Sequence, residues 1–238
     1  MTAREALDRL REMGDPNHAA ASARYFQAAK GGYGEGDVFL GVRVPELRKL
    51  ARRWRDMELA EVVKLLRSDY HEARLLALLI LVERYRRAAP MEKEAIVELY
   101  LQNSDRINNW DLVDSSAPHI LGDYLYSRPD KNLLGELAAS PSLWERRMAV
   151  LATFYFIRQG QFAETLRLVA RMLDDPEDLI HKAASWMLRE LGKRDAKPLL
   201  DFLEENAARM PRTMLRYATE KLTPEQKRRF RSSGRRGS

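Results

Sequence analysis

The sequence predicts an all-α fold, a HEAT-like or ARM-type solenoid of stacked antiparallel helix pairs with a concave basic groove. Three observations indicate this fold. Apolar residues recur at helical spacing almost throughout the chain, as in ELAEVVKLLRS and TLRLVARMLDD. Breaks such as MGDPNH, SRPDKN and DDPED separate these segments at short intervals. A weak internal repeat, close to the length of one HEAT unit, also runs along the chain.

The repeat is visible in three segments that begin at Ser68, Ser140 and Asp175. Each segment has a capping residue, a polar turn and a basic residue, followed by an alanine within an apolar helix. The first two starts are 72 residues apart and the last two are 35 apart, so one copy is expected midway, at Ser104. A period near 36 with two helices per unit is typical of a HEAT-like array.

The repeat also predicts which side chains share the concave face. It places Trp110 at the same level as Arg74, Arg146 and His181. If the second helix of each unit lines that face, the face collects side chains from successive units: Trp110, Asp114, Arg147, Lys182 and Trp186.

The chain has 238 residues and no cysteine, which allows a large core held by packing rather than by disulfides. We predict one helical domain over 1–227 and an arginine-rich, disordered tail over 228–238. The apolar run LLALLILV at 75–82 is too short to span a membrane and predicts a buried helix segment. The charged N-terminus lacks the apolar core of a signal peptide, so we expect a cytoplasmic protein without a membrane partner.

The formal net charge is +6, and the positive charge is concentrated in two places. From Lys182 to the end there are fifteen Lys and Arg residues but only seven Asp and Glu residues. A second cluster precedes residue 56: Arg43, Arg48, Lys49, Arg52, Arg53 and Arg55. Such clusters indicate an anionic partner such as nucleic acid. The alternative is a set of solvated helix faces without a partner.

The segment INNWDLVDSSAP places carboxylates beside an indole in this basic chain. Trp110 and Asp114 are four residues apart, so on a helix they share one face. Pro118 cannot donate to the Asp114 carbonyl, so the helix is expected to kink or restart there. Two alternatives stay open: Trp110 is ordinary core, or Asp114 or a following serine caps the helix that contains Pro118. For Asp111 we expect a structural hydrogen bond or a capping role.

A second aromatic residue lies within a basic stripe. Lys182, Trp186, Arg189 and Lys193 fall on one face of the helix predicted over LIHKAASWMLRELGKRD. Cations along one face with an aromatic between them suit a phosphate backbone and a contacted sugar or base. The alternative is a half-buried tryptophan whose neighbours extend their charged ends into solvent.

Arg147, in SPSLWERRMAVL, is a candidate phosphate ligand. The alternative is that Arg146 or Arg147 pairs with Glu145 or with a neighbouring helix.

The glycine-rich segment at 31–36 lacks the GxxxxGK[ST] pattern of a P-loop and predicts a loop before a helix that starts near Pro45. The four histidines are scattered, and without cysteine we predict neither a metal site nor a cofactor.

Four segments occur in order along the chain: FLGVRVPELRKLA, DRINNWDLVD, LWERRMAVLATFYFI and DLIHKAASWMLRELGKRD. Together they resemble the AlkD-type DNA alkylation repair glycosylases, which are HEAT-like repeat DNA glycosylases. The resemblance covers the chain from about Ala23 to Tyr217 and leaves out the arginine-rich tail. Four motifs in order make a specific match, whereas each motif alone is weak.

The resemblance implies a solenoid whose concave groove holds duplex DNA. It implies hydrolysis of the N-glycosidic bond of cationic alkylated purines, of the N3-methyladenine and N7-methylguanine type, without flipping the base into a pocket. The expected partner is therefore double-stranded DNA containing alkylated purines. A monomeric, bacterial, nucleoid-associated enzyme that needs no metal is expected.

The family's site residues can be placed on this sequence. Its catalytic carboxylate follows a tryptophan on the same helix, which corresponds to Asp114. Two tryptophans flank the lesion nucleotide, matching Trp110 and Trp186. The family's N-terminal tyrosine corresponds to Tyr25, and its groove arginine to Arg147. With the basic clusters, the expected DNA-binding residues are Tyr25, Arg43, Arg48, Arg147, Lys182, Arg189 and Lys193.

The sequence departs from the best-known members at three positions. Asn109 stands where those members carry a second tryptophan, and Arg43 and Val44 stand where they carry small polar residues. These differences bear on groove contacts and lesion range more than on the chemistry. Two other readings remain: a DNA-structure binder without catalytic activity on the same scaffold, and a protein–protein adaptor of the HEAT type.

Overall fold

The computed structural model describes residues 1–231, which form helices joined mostly by short turns, with a longer loop between Tyr25 and Val44. The predicted all-α class is confirmed. Across the described chain the only β-type pairing is a single bridge between Val38 and Tyr70. The chain divides into two compact units, Met1–Ile120 and a second that begins at Leu121. No helix within 1–231 is both long enough and apolar enough to cross a bilayer.

The first unit is built around one central helix. Its helices are α1 (Ala3–Glu12), α2 (Pro16–Tyr25), α3 (Val44–Arg53), α4 (Leu59–Leu66), α5 (His71–Tyr85), α6 (Pro90–Gln102) and α7 (Trp110–Ala117). Helix α5 packs against α3, α4 and α7. Every residue of α5 from His71 to Val82 is buried, which confirms that LLALLILV is a core segment. A helix surrounded on all sides has no need of a polar face.

The predicted loop between α2 and α3 is fixed onto α5 by a buried carboxylate. The Oε2 and Oε1 atoms of Glu72 accept hydrogen bonds from the backbone N–H groups of Leu40, at 2.9 Å, and Gly41, at 2.7 Å. Gly41 has a φ of 85°, and a Cβ there would lie 2.1 Å from the carbonyl oxygen of Asp15. Only glycine fits this close approach.

The second unit stacks helix pairs along its length. Its helices are α8 (Asp123–Tyr126), α9 (Asn132–Ala138), α10 (Leu143–Arg158), α11 (Ala163–Arg171), α12 (Asp178–Arg194), α13 (Ala196–Asn206), α14 (Arg212–Ala218) and α15 (Pro224–Arg231). Helix α10 packs against α9, α11 and α12, and α12 packs against α11, α13 and α14. Each long helix is thus covered by its partner and by its neighbours, as in a helical-repeat array.

Arginines at equivalent repeat positions make the same contacts. Arg74 donates from Nη1 to the carbonyl oxygens of Ser68 and Asp69, both at 3.1 Å. Arg146 donates from Nη1 to the carbonyl oxygens of Ser140, at 3.1 Å, and Pro141, at 3.0 Å. Each guanidinium also bonds to an aspartate, in one case Asp37 and in the other Asp175. The predicted repeat register therefore holds between the copies that contain α5 and α10.

The register is different in the copy that contains α7. Trp110 is the first residue of its helix, as His71, Leu143 and Asp178 are of theirs, so it is not level with Arg74 as predicted. The reason is a 3₁₀ turn over Ser104–Arg106, which lengthens the connection before α7 by three residues relative to those before α5 and α10. The repeat register therefore changes at the start of α7, the helix that carries the candidate carboxylate.

Two predicted ends of helical structure can be checked: the interruption at Pro118 and the start of the arginine-rich tail. Helix α7 ends at Ala117, and a π-helical turn over Pro118–Gly122 follows, which fits a residue that cannot donate an α-helical hydrogen bond. At the other end, α15 continues to Arg231 and buries Phe230, which is 4 % exposed. The predicted start of the tail at residue 228 thus lies inside a helix, and 232–238 lie outside the described residues.

Candidate functional site

Helix α7 carries the candidate carboxylate and the candidate tryptophan on one face. Trp110 and Asp114 are one helical turn apart, and both are half-buried. The cap of this helix is Asn109, whose Oδ1 accepts from the Trp110 backbone N–H at 2.8 Å. Asp114 lies in the second turn of α7, so the alternative in which it caps a later helix is wrong.

A buried hydrogen bond holds α7 against α6 beside the carboxylate. The hydroxyl groups of Tyr100 and Ser116 are 2.8 Å apart, and Ser116 Oγ also donates to the Leu112 carbonyl at 2.6 Å. Burial raises the pKa of Tyr100, and the nearby charge of Asp114 raises it further, although the bond to Ser116 acts in the opposite direction. Tyr100 therefore stays a neutral phenol next to the anion on α7.

Trp110 belongs to a cluster of aromatic rings. The centroid of its ring lies 5.2 Å from that of Phe26 and 5.9 Å from that of Tyr25. Its indole Nε1 donates to the Tyr33 hydroxyl at 3.1 Å, and that hydroxyl is 3.2 Å from the Tyr25 carbonyl oxygen. Tyr25 is 66 % exposed, so the cluster offers an open aromatic surface. Trp110 is thus oriented by a polar bond as well as by packing.

Sequence reasoning missed Tyr33 and Phe26. The available signal for Tyr33 was its place within the glycine-rich segment, where glycines allow the backbone to approach its neighbours closely. A Cβ on Gly34 would lie 2.3 Å from the Phe26 carbonyl oxygen and 3.3 Å from Nδ2 of Asn109. The glycine-rich loop therefore brings its tyrosine to the start of α7.

The first turn of α7 is tied to α5 by a buried imidazole. Nδ1 of His71 lies 2.9 Å from Oδ2 of Asp37, and Nε2 lies 2.8 Å from Oδ2 of Asp111. Asp37 also accepts from Arg74 and, at 3.1 Å, from Nδ2 of Asn109. The Oδ1 atom of Asp111 accepts from the Leu112 N–H at 2.8 Å, so the structural hydrogen-bond role expected of Asp111 is found.

This environment keeps the ring of His71 charged. Burial alone disfavours the imidazolium, but the bonds to Asp111 and Asp37 outweigh it and raise the pKa of His71 to about 9. Burial would raise the pKa of Asp37, but the bond from His71 and the charge of Arg74 hold it below its usual range. The ring also stacks on Phe39, with centroids 4.7 Å apart. Both ring nitrogens then donate, and neither is free to act as a base.

The predicted basic residues of the first unit lie on or next to α3. Arg43, at the start of this helix, and Arg48 and Arg52 within it are exposed. Arg48 and Arg52 line a small depression together with Ser115 and His119, so these two cations approach the helix that carries Asp114. This surface can attract phosphate.

Arg147 of the second unit is 5 % exposed, and its Nη1 donates to the Leu179 carbonyl oxygen at 2.6 Å. Arg146 pairs with Asp175, which lies in the connection between α11 and α12 and whose Oδ2 is 2.7 Å from Nε. The bond to a neighbouring helix is therefore made by Arg147. Arg147 thus connects α10 to the first turn of α12. Its contact with DNA stays a prediction.

The stripe on α12 forms as predicted, but acidic side chains accompany its cations. Lys182 pairs with Asp178 at 2.6 Å, and Arg189 pairs with Glu220. The indole Nε1 of Trp186 donates to Oε1 of Glu190 at 3.1 Å. Lys193 donates to the same oxygen at 2.7 Å, and the ring of Trp186 lies 5.8 Å from that of Phe154. Sequence reasoning missed Glu190, although its spacing of four residues from Trp186 was visible.

The structure therefore builds two sets of predicted site residues, one in each unit. The first unit brings together Tyr25, Trp110 and Asp114, with Arg48 nearby on α3. The second unit places the remaining predicted residues on α10 and α12: Arg147, Lys182, Trp186, Arg189 and Lys193.

Comparisons with known proteins agree with this architecture. A sequence model of the family "DNA alkylation repair enzyme" matches residues 6–222. No match was found among curated proteins. A solved structure described as a predicted DNA alkylation repair enzyme from Enterococcus faecalis superposes with a TM-score of 0.69 at 17 % identity, covering 89 % of this chain and 98 % of that one.

A second similar structure is AlkD2 from Streptococcus mutans, with a TM-score of 0.57 at 15 % identity, covering 87 % of this chain and 98 % of that one. At these identities the two structures establish a shared fold, whereas the family match spans nearly the whole sequence. The chain belongs to the DNA alkylation repair enzyme family, and its role is accordingly in DNA repair, with DNA as its partner.

Proposed function

We propose that the protein is a DNA glycosylase that hydrolyses the N-glycosidic bond of cationic alkylated purines in duplex DNA. The observation that carries the proposal is the α7 face, where Asp114 lies one turn from Trp110 within an aromatic cluster. A carboxylate repels the phosphates of a DNA ligand. It becomes favourable only if a positive charge develops beside it.

An N-alkylated purine supplies such a charge. When the bond between C1′ and the base nitrogen breaks, the electron pair leaves with the base, which departs neutral. The deoxyribose becomes an oxocarbenium-like cation, and water adds to C1′ and releases a proton. Asp114 would stabilise this cation and position the water, as carboxylates do in glycoside hydrolysis. Because the leaving group is neutral, no general acid is required, and an unmodified purine leaves poorly.

The aromatic residues would act on the same cation. Trp110 and Trp186 would each contribute about 0.5–2 kcal/mol of cation–π attraction, depending on desolvation. Tyr25, exposed beside Trp110, would extend the aromatic wall. The proposed reaction needs no metal and proceeds without flipping of the base into a pocket, in a monomer.

The basic residues would hold the duplex. Arg43 and Arg48 are exposed, and Arg48 lines the depression beside the carboxylate helix. Phosphate contacts from such side chains fix the register of a protein on DNA. In the second unit the proposed DNA-binding residues are Arg147, Lys182, Arg189 and Lys193. Those on α12 carry acidic partners, so DNA would compete with these partners for the cations.

The test is single-turnover release of 7-methylguanine from duplex DNA. Asp114→Asn removes the charge and keeps the shape, and we expect the rate to fall by about two orders of magnitude or more. Binding to the duplex should persist or improve, because a repulsive charge has been removed. Asp105→Asn is the matched control, since it removes an exposed carboxylate of the same unit that lies outside α7.

A wild-type rate in Asp114→Asn would remove this carboxylate from the mechanism. If the wild-type protein binds duplex DNA and releases no base, the glycosylase proposal fails in favour of a DNA-structure binder.

A further inference from the structure

The second unit contains a cavity that the proposed reaction does not use. It has a volume of about 510 Å³, which is within the size range of small-molecule sites, and residues of α14 and α15 line it. Its lining combines cations with apolar side chains. The cations suit an anionic group of a ligand, and the apolar side chains suit an uncharged part of the same ligand.

Three cations line the cavity: Arg212 and Arg216 on α14 and Lys227 on α15. Arg212 and Arg216 are one helical turn apart, so their side chains extend from one face. Within residues 1–231, no carboxylate forms an ion pair with any of the three. Basic side chains that converge without an acidic partner favour binding of an anion.

The single carboxylate of the lining does not cancel this charge. Glu220 bonds to Lys221 and to Arg189, and these two bonds hold the pKa of Glu220 below its usual range. Its negative charge is therefore already compensated by cations other than the three in the lining. The lining of the cavity therefore has a net positive charge.

The floor of the cavity is apolar. Leu215 and Phe230 line it and are otherwise buried, at 6 % and 4 % exposed. An aromatic ring and an aliphatic side chain suit a planar ring such as a nucleobase. The three cations suit a phosphate group, which arginine binds through paired N–H donors.

We propose that this cavity binds a single nucleotide, with its phosphate on Arg212, Arg216 and Lys227 and its base toward Leu215 and Phe230. The site goes beyond the proposed glycosylase reaction, because none of its residues takes part in that chemistry. The nucleotide has two possible sources, a free mononucleotide or an unpaired nucleotide at a 5′-phosphorylated strand end.

The test is calorimetric titration of the full-length protein with deoxyadenosine monophosphate, deoxyadenosine and inorganic phosphate. We expect the monophosphate to bind at least tenfold more tightly than either fragment. Arg216→Gln should weaken its binding by about tenfold, which corresponds to the loss of one charge-assisted hydrogen bond. Arg228→Gln is the matched control, since it removes an exposed arginine of α15 that does not line the cavity.

Lys227→Gln repeats the comparison if Arg216→Gln does not fold. Competition then identifies the source: displacement of the monophosphate by a duplex with a 5′-phosphorylated overhang, and not by a blunt duplex, identifies a strand end. Absence of displacement identifies a free nucleotide. Undetectable binding of the monophosphate at millimolar concentration, or equal affinity in Arg216→Gln and Arg228→Gln, would overturn the proposal.

Discussion

His71 shows how single side chains position the candidate site. Its ring joins a loop aspartate, Asp37, to the first turn of α7 through Asp111, and all three side chains are largely buried. The ring nitrogens satisfy both carboxylates, so each buried charge has a partner. The orientation of the helix that carries Trp110 and Asp114 therefore depends on the protonation of one imidazole.

The protonation of His71 makes stability depend on pH. Its pKa is about 9 in the folded chain, against an ordinary value of 6.5, so folding binds a proton between these values. The stabilisation is fully present below about pH 6.5 and is lost as the pH rises through about 9. We expect the midpoint of urea unfolding to fall from pH 6.5 to 9.5, and to fall much less in His71→Gln.

His18→Gln, on α2, is the control for loss of a histidine that does not bond to Asp37 or Asp111. Parallel pH profiles for wild type and His71→Gln would contradict the charged ring.

The residues that could be predicted are those with a local pattern. Trp110 and Asp114 share a face because four residues separate them, and the sequence displays that spacing. His71 belongs to no such pattern, because its partners lie 34 and 40 residues away in the sequence. Contacts at such separations depend on the tertiary fold, and a single sequence contains no periodic signal for them.

At the scale of a helix, α12 shows why a charge stripe is incomplete evidence for binding. Its cations have the predicted spacing, yet Glu190 contacts both the Trp186 indole and Lys193. An exposed ion pair contributes little to stability, typically below about 1 kcal/mol. Such a pair is easily exchanged for a phosphate contact, so we expect Glu190 to weaken the attraction of α12 for DNA.

Removal of this carboxylate should strengthen DNA binding. Glu190→Gln keeps an amide oxygen that accepts from the Trp186 indole but releases Lys193 from its ion pair. We expect duplex affinity to rise several-fold, and the plot of log affinity against log salt to steepen by about one phosphate contact. The measurement is a fluorescence anisotropy titration at several salt concentrations.

Glu205→Gln, an exposed position on α13, changes the net charge equally and should leave the slope unchanged. Equal slopes in the two variants would show that Lys193 does not contact DNA.

At the scale of the whole molecule, the repeat and the helical periodicity predicted the all-α class and the stacked pairs. The register of the copy with α7 was not predictable, because the 3₁₀ turn over Ser104–Arg106 has no distinctive sequence signal. The end of the last helix was also missed. Phe230 within RRFR was the one apolar residue available to indicate that α15 continues beyond 227.

The charge distribution of the whole chain predicts strongly salt-dependent binding. Each phosphate contact contributes about 0.9 to the slope of log affinity against log salt for duplex DNA. We expect Arg48→Gln to lower that slope by about one, since Arg48 is exposed beside the α7 depression. Gel-shift titrations at several salt concentrations measure it.

Arg9→Gln on α1 is the control, because Arg9 pairs with Glu12 away from this surface. Weak, nonspecific binding to DNA across the salt series would favour the adaptor reading of the fold.

The shared arginine contacts of α5 and α10 determine where this chain can change in length. Arg74 and Arg146 each donate hydrogen bonds to carbonyl groups five and six residues before them in the sequence. The number of residues between these carbonyl groups and the arginine is therefore fixed. One additional residue between Ser68 and Arg74 would move the guanidinium away from its acceptors and displace His71 from Asp37 and Asp111. Insertions and deletions should therefore be tolerated before these contacts, at the position where the connection to α7 is longer than those to α5 and α10.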